Sequence, residues 1–370
     1  MIDEYALILV LFAIYLSECI FFPSRVASLF KRSILGGWRV AKSSVTPRFR
    51  LVVESFLPRL GGTVIAESAP PVISPLGICC SQRSMSVGVA YCIDLADAGP
   101  FTCKDCDVSS GSTFVCSAAT PEQAGRLVEL LTQVKASSIA ERDSLITHAF
   151  HQLLDTRRAA RRWNAYKKAS KLLSFDTWAL FGILVALSVT LGPLRFQLAA
   201  AWPLAVLTLV FLPHTAYLFY RIHQIFFREQ AHARWKQVAL MFLTPTAAIR
   251  AGDLVAREIF YGFHSLAVAR VLLSEPESRA FTANTLREML HPVDNNDGQS
   301  MSQVAAWARQ RWMSIVWTWT EQEFGDPGTL ICAPRKEHAS CVCYCPRCLA
   351  QYVVSRNDCS DCPGVATQLF

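Results

Sequence analysis

The sequence predicts a membrane protein with three transmembrane α-helices, a mixed α/β cytoplasmic domain, a helical region and a compact cysteine-rich tail. Three observations carry this expectation. First, residues 177–194 and 196–220 hold no charged side chain, and only Arg195 separates them. Each stretch is long enough for a hydrocarbon core of ~30 Å, which takes roughly 20 helical residues. Second, Lys and Arg crowd the segments flanking these stretches, the pattern of cytoplasmic flanks. Third, the last cysteines of the chain fall in two closely spaced pairs. Composition agrees: of 370 residues, 52% are hydrophobic and 18% charged, against about 25% charged in ordinary soluble domains. The net charge of +7 is of the sign that nucleic acid attracts. The basic residues sit beside apolar segments, however, where anionic lipid headgroups are the nearest counter-charge.

Residues 1–22 are expected to be an uncleaved transmembrane anchor. Residues 5–22 are apolar apart from Glu18, and no Lys or Arg precedes them. A cleaved signal, the alternative, would carry a basic start and a small-residue cleavage site. Residues 23–155 form the expected cytoplasmic α/β domain. It begins with Arg25, Lys31, Arg32, Arg39, Lys42, Arg48 and Arg50, with no acidic residue up to position 50. That flank belongs inside and the N-terminus outside. Strands are expected in LVVESFL, GGTVIAES, MSVGVAYCIDL and STFVCSAA, where β-branched residues gather between Gly and Pro breaks. Thr120-Pro121-Glu122 opens a helix, since Thr caps well and Pro suits the first helical position. Ala124, Leu127, Val128, Leu131 and Val134 then fall on one apolar face. A second helix is expected over 138–154.

Residues 156–172 read as a basic juxtamembrane helix. Arg157, Arg158, Arg161, Arg162, Lys167, Lys168 and Lys171 have no acidic neighbour in this stretch, and Trp163 and Tyr166 are expected at headgroup depth. RNA or DNA is the rival anion. The helical hairpin, residues 173–220, turns at 192–197. It returns to a second basic flank, with Arg221, Arg228, Arg234 and Lys236 against Glu229 alone. Residues 221–325 form a helical region, cytoplasmic or on the membrane surface. Within it, 238–273 are interrupted by Pro245 and by the charges between Arg250 and Glu258, so two amphipathic or core helices are expected there. A re-entrant segment is the alternative. Helices follow over 275–290 and from Ser300 or Ser302 to 319, where Trp307, Trp312, Trp317 and Trp319 mark a packed face.

The chemistry lies in the tail, residues 326–370. Cys345-Pro346-Arg347-Cys348 is followed, after a spacer of ten residues, by Cys359-Ser360-Asp361-Cys362. Two C-x2-C turns joined by a hairpin bring four thiolates to the corners of a tetrahedron, each about 2.3 Å from a Zn²⁺. Residues 351–354 are the expected strand and 355–358 the turn. The segment 344–364 resembles a zinc ribbon, which completes the expected fold class with a small C-terminal zinc ribbon. The resemblance implies Cys345, Cys348, Cys359 and Cys362 as the ligands of one metal. Leu349 and Pro363 depart from it, standing where ribbons usually have glycine. The whole chain also resembles bacterial-type multi-pass membrane proteins that join an N-terminal anchor to a C-terminal ribbon, a likeness that implies no activity. Zinc is expected because the topology puts the tail in the reducing cytoplasm, where disulfides are rare. Iron in a tetrathiolate is the chemical rival, and free or bridged cysteines are the other alternative. With no open position and no His or carboxylate partner, the metal is expected to be structural.

Other candidates are weaker. Cys341, Cys343 and Cys345 alternate as on one strand face. With Cys332 and His338 they are candidates for swapping into the site or holding a second ion. Among Cys79, Cys80, Cys92, Cys103, Cys106 and Cys116, only Cys103 and Cys106 have knuckle spacing. Small buried hydrophobes are the preferred reading. A second metal site is the alternative, and disulfides follow if this domain lies outside. His148 and His151 lack a third ligand and read as surface residues. Glu18 and His214 are intramembrane ionisable groups near cytoplasmic ends. The sequence contains no phosphate-binding glycine loop, G-x-S-x-G, H-E-x-x-H or dinucleotide fingerprint. The expected function is a membrane-tethered interaction or scaffold protein rather than an enzyme. It sits in the cell (inner) membrane with a cytoplasmic C-terminus and a protein partner on the ribbon. A membrane-bound enzyme or transporter component and a membrane-associated nucleic-acid-binding protein are the alternatives.

Overall fold

The computed structural model describes residues 20–21, 27–32, 37–43, 52–53, 62–67, 70–80, 91–118, 121–191, 198–228, 230–291 and 303–370. Residues 5–19 of the expected anchor, Glu18 among them, lie outside these. Within the expected anchor Ile20–Phe21 is strand (β1) and pairs antiparallel with Val52–Val53 (β4).

The basic flank is in part a sheet, which charge counting did not reveal. Ala27–Arg32 (β2), Trp38–Ser43 (β3) and Thr63–Glu67 (β5) form an antiparallel sheet in the order β3-β2-β5. Leu29 and Phe30 alternate normally, in register with Ile65 and Val64, and both are buried because each face of β2 is covered; the extra residue of the bulge, Ala41, lies on β3. Leu29 packs with Ile65 and Tyr261, whereas Phe30 joins the main core beside Val64.

Gly77–Cys80 (β6) pairs with Tyr91–Asp94 (β7), and Phe101–Lys104 (β8), Asp107–Ser110 (β9) and Thr113–Ser117 (β10) make a second antiparallel sheet. The strand expected in STFVCSAA is present, and only the end of MSVGVAYCIDL is described. Pro121–Ala136 (α1) buries Ala124, Leu131 and Val134 as expected. Ile139–Leu153 (α2) begins at a reciprocal capping box between Ser138 and Glu141, which satisfies orphan N–H groups of its first turn.

Thr156–Ala169 (α3) corrects the headgroup-aromatic expectation. Ala159, Trp163 and Tyr166 share one helix face and turn inward. Trp163 stacks on Tyr166 at 5.3 Å and meets Trp38 edge-on at 5.7 Å. The Tyr166 hydroxyl donates to the Gly252 carbonyl at 2.8 Å. Arg157, Arg161, Lys167 and Lys168 occupy the exposed side. One amphipathic helix therefore serves the core with its rings and solvent with its cations.

Lys171–Leu191 (α4) and Leu198–Phe226 (α5) make the most extensive helix–helix contact in the described chain. Asp176 touches His214, and these positions are symmetric about Arg195, so the two helices run antiparallel. Among the described residues one helix, Trp202–Phe226 within α5, is long and apolar enough to cross a membrane, and only 22% of its apolar window is buried. The pair α3 and α4 meets the same criterion together, across a bend of 50°.

Residues 231–272 form four helices rather than two: Ala231–Leu243 (α6), Pro245–Ile249 (α7), Ala251–Glu258 (α8) and Ser265–Leu272 (α9). Pro245 starts α7, a first-turn position that needs no N–H donor. From Ala247 to Ala269 almost every side chain is buried or half-buried. SLAVARVL is apolar almost all round, which suits a helix packed on every side. Glu275–Leu290 (α10), Gln303–Phe324 (α11) and Pro327–Leu330 (α12) follow. Trp312 and Trp319 are buried, and Trp307 and Trp317 pack against the same core, as a packed face requires.

The core has two adjoining parts. One gathers β2, β5 and α3–α9; the other gathers β6–β10, α1, α2, α10 and α11. Helix α9 contributes Leu266 to the second and Val268 and Ala269 to the first, and Phe281 packs on both. The regions expected at 23–155 and 221–325 thus share one core.

Glu67, at the end of β5, accepts a hydrogen bond from Gln123 Nε2 at 3.0 Å. Burial raises its pKa from 4.5 to about 7, against the lowering effect of that bond. Between those values the folded state holds a proton that the unfolded chain has released. This group's stabilising contribution is therefore complete below about pH 4.5 and is lost as pH rises to about 7. The side chain is only partly buried, so the loss is expected to be about 2 kcal/mol. Thermal unfolding in detergent at pH 5 and 7.5 should show the Glu67→Gln chain losing less stability across that interval than the parent. Equal slopes would rule the effect out.

Candidate metal centre

The tail folds around three short strands, Cys343–Tyr344 (β11), Gln351–Tyr352 (β12) and Gln368–Leu369 (β13), in the order β12-β11-β13. The strand expected over 351–354 is reduced to its first two residues. Cys345 leaves β11 and begins the first knuckle. Its carbonyl accepts from Leu349 N at 2.9 Å, and Cys348 N donates to Cys345 Sγ at 3.5 Å. Leu349 holds a φ of +63°. This is the position where ribbons favour glycine, and a leucine there costs roughly 1–2 kcal/mol. In the second knuckle Cys362 O accepts from Val365 N at 3.1 Å, and Gly364, with a φ of +77°, takes the left-handed position one residue after Pro363.

The two knuckles bring Cys345, Cys348, Cys359 and Cys362 together, all four sulfurs within 4.8 Å of one another. Cys348 Sγ and Cys359 Sγ lie 3.6 Å apart. Four ligands at about 2.3 Å from a tetrahedral Zn²⁺ stand about 3.8 Å from each other, so the donor set fits the ion. Cys345, Cys359 and Cys362 are buried and Cys348 is exposed.

The electrostatics also call for a cation. Burial pushes the thiols of Cys348 and Cys362 up, and neighbouring sulfurs add to this for Cys362. Burial opposes ionisation of Cys359 too. Hydrogen bonds from the Tyr352 hydroxyl, the Asp361 backbone and the adjacent thiols outweigh it and bring Cys359 down to about 7. Four thiolates this close repel strongly, and a dication offsets that repulsion.

Tyr352 supports the cysteine cluster, which spacing did not reveal. Its hydroxyl donates to Cys359 Sγ at 3.1 Å and accepts from Ser360 N at 3.3 Å. Tyr352→Phe is expected to speed zinc loss to a chelator by about 10–100-fold, as removal of outer-shell partners does elsewhere. A chelator-competition time course measures it, and an unchanged rate would remove the role. Arg347, inside the first knuckle, ties the site to the body by donating to the His291 carbonyl at 2.8 Å, just past α10.

Cys341 and Cys343 are buried but stand outside the cluster; Cys343 Sγ lies 3.6 Å from Val354 O. Cys332 and His338 are exposed. Among the described residues no second group of three metal-ligating side chains forms. His148 is exposed and bonds with Gln152 at 2.9 Å, and His151 is exposed.

The 79–116 cysteines divide. Cys80 is the small buried hydrophobe expected, fully enclosed. Cys79 and Cys92 are not: they form a disulfide across the β6–β7 pair, with Cα atoms 4.1 Å apart. Only strand register, which spacing does not encode, places them opposite one another. Cys103 is exposed, and burial pushes the partly buried Cys116 up to about 11.

Asp176, one residue before the uncharged stretch, also escaped sequence reading. Its buried carboxylate lies 2.6 Å from His214 Nδ1. No family model, curated protein or solved structure matches this chain.

Proposed function

We propose that this chain is a membrane-tethered interaction protein whose C-terminal ribbon is a structural zinc module that docks a protein partner. The observation that carries the reading is the convergence of Cys345, Cys348, Cys359 and Cys362 with no further ligand beside them among the described residues. A closed four-sulfur set leaves no position for a substrate or a reactive water. Helices α4 and α5 form the membrane hairpin. This part is supported by the large apolar side chains that α4 and α5 leave exposed, including Phe175, Val185, Trp202, Leu209 and Val210. A chain truncated before the ribbon is expected to insert in membranes like the parent and to lose its ribbon-dependent cross-links in cells. Unchanged cross-links would end the docking proposal.

The disulfide favours a second reading, in which the folded body faces outward. The ribbon must share its side of the membrane. β6 packs in one core with Trp312 and Ile315, and the ribbon is tied to His291 at the end of α10. A membrane-impermeant maleimide distinguishes the two. Labelling only after permeabilisation, with Cys79 and Cys92 reduced in cells, is expected for the cytoplasmic body. Labelling of intact cells inverts the topology.

A further inference from the structure

We infer that the outer face of α5 holds one anionic phospholipid, with its phosphate at His214, Tyr217 and Arg221 and an acyl chain along Leu207 and Val210. This rests on the membrane-hairpin reading of α4 and α5. The five residues follow one another at three- and four-residue steps, so they form a single stripe down the helix. Leu207, Val210 and Tyr217 are exposed large side chains, the His214 side chain is 47% exposed, and Arg221 is exposed. The stripe grades from apolar to imidazole, to phenol, to guanidinium, which matches the order from acyl chain to phosphate in a lipid leaflet.

The polar groups are held in place. Arg221 Nη1 donates to the Tyr217 hydroxyl at 3.0 Å, and its guanidinium lies 5.8 Å from that ring. The cation is thus drawn back along the helix to within about one turn of His214. Asp176, 2% exposed, lies 2.6 Å from His214 Nδ1 and fixes the ring. That contact occupies Nδ1 and leaves Nε2 as the outward ring nitrogen. An imidazole and a guanidinium about one turn apart suit the oxygens of a phosphate, and a zwitterionic lipid gains less from the guanidinium.

The test uses the full chain in a mild detergent, with phosphatidylglycerol and phosphatidylcholine added separately, read by native mass spectrometry. The parent is expected to retain phosphatidylglycerol in preference to phosphatidylcholine. His214→Ala and Arg221→Gln should each weaken that retention about tenfold, the loss of one charge-assisted hydrogen bond. Asp176→Asn should do so too, although Asp176 is turned away from the lipid. Lys167→Gln, on the exposed side of α3, should leave retention unchanged. Carbonate extraction of membranes separates the two layers of the argument. If the parent is extracted, the hairpin reading fails and the site with it. If the parent stays embedded, equal retention of both lipids, or full retention by Arg221→Gln, overturns the site alone.

Discussion

Replacing Cys345 and Cys359 together by serine is expected to empty the ribbon of zinc, from about one ion per chain to none. The four-sulfur cluster is the reason, and the size of the effect follows from how little else holds the tail. Its own apolar cluster consists of three of the four cysteines, Val365 and the partly buried Tyr352. With so small a core, the metal supplies the folding free energy, on the order of 10–16 kcal/mol at neutral pH. The body does not depend on it, since neither large core includes a ribbon residue. Metal analysis of the purified chain, with limited proteolysis alongside, reads both consequences. The doubly substituted chain should be cut within the tail while the body stays resistant. Bound zinc persisting in the variant would refute the ligand set. More than one zinc in the parent would instead assign a second site to the remaining cysteines, and iron would replace the zinc reading.

Asp253→Ala is expected to destabilise the body by about 3–5 kcal/mol, among the largest effects of any single substitution. Arg250 is 1% exposed, and its Nη1 lies 2.9 Å from Asp253 Oδ2. Burial raises the Asp253 pKa to about 6, and Arg250 and Arg257 limit the rise. Removing the carboxylate takes the 2.9 Å counter-ion from an enclosed guanidinium. Removing both charges is a different matter. Arg250→Met with Asp253→Leu fills similar volume without a charge to desolvate and is expected to stay within about 1 kcal/mol of the parent. Thermal unfolding of the three chains in one detergent compares them. A single substitution that costs no more than the double one would mean that the pair is not energetically isolated in the core.

Several parts of the molecule were legible because they rest on local chemistry. Thr120-Pro121 and Ser138 marked helix starts, and the 3–4 spacing of Ala124, Leu131 and Val134 marked the face that is buried. The C-x2-C pairs identified the four cysteines that converge, since a knuckle is a short backbone motif that carries its own ligands. Even the anomaly at Leu349 was visible, as a leucine in a place where the backbone needs a positive φ.

What escaped depends on contacts between residues far apart in sequence. The strands at 27–43 were hidden under a charge count, because pairing with 63–67 is what makes them strands. Trp163 and Tyr166 looked like interface aromatics until Trp38 and Phe260 packed on them. Cys79 and Cys92 are separated by thirteen positions, and register alone puts them opposite. Asp176 and His214 meet only because the hairpin folds about its centre. The sequence by itself determined several helix starts, the apolar stretches and the four cysteines that converge, because periodicity, hydropathy and knuckle spacing act over a few residues. Tertiary structure alone decided which polar groups are buried together and which cysteines bridge, because those outcomes require distant segments to meet at one place in the core.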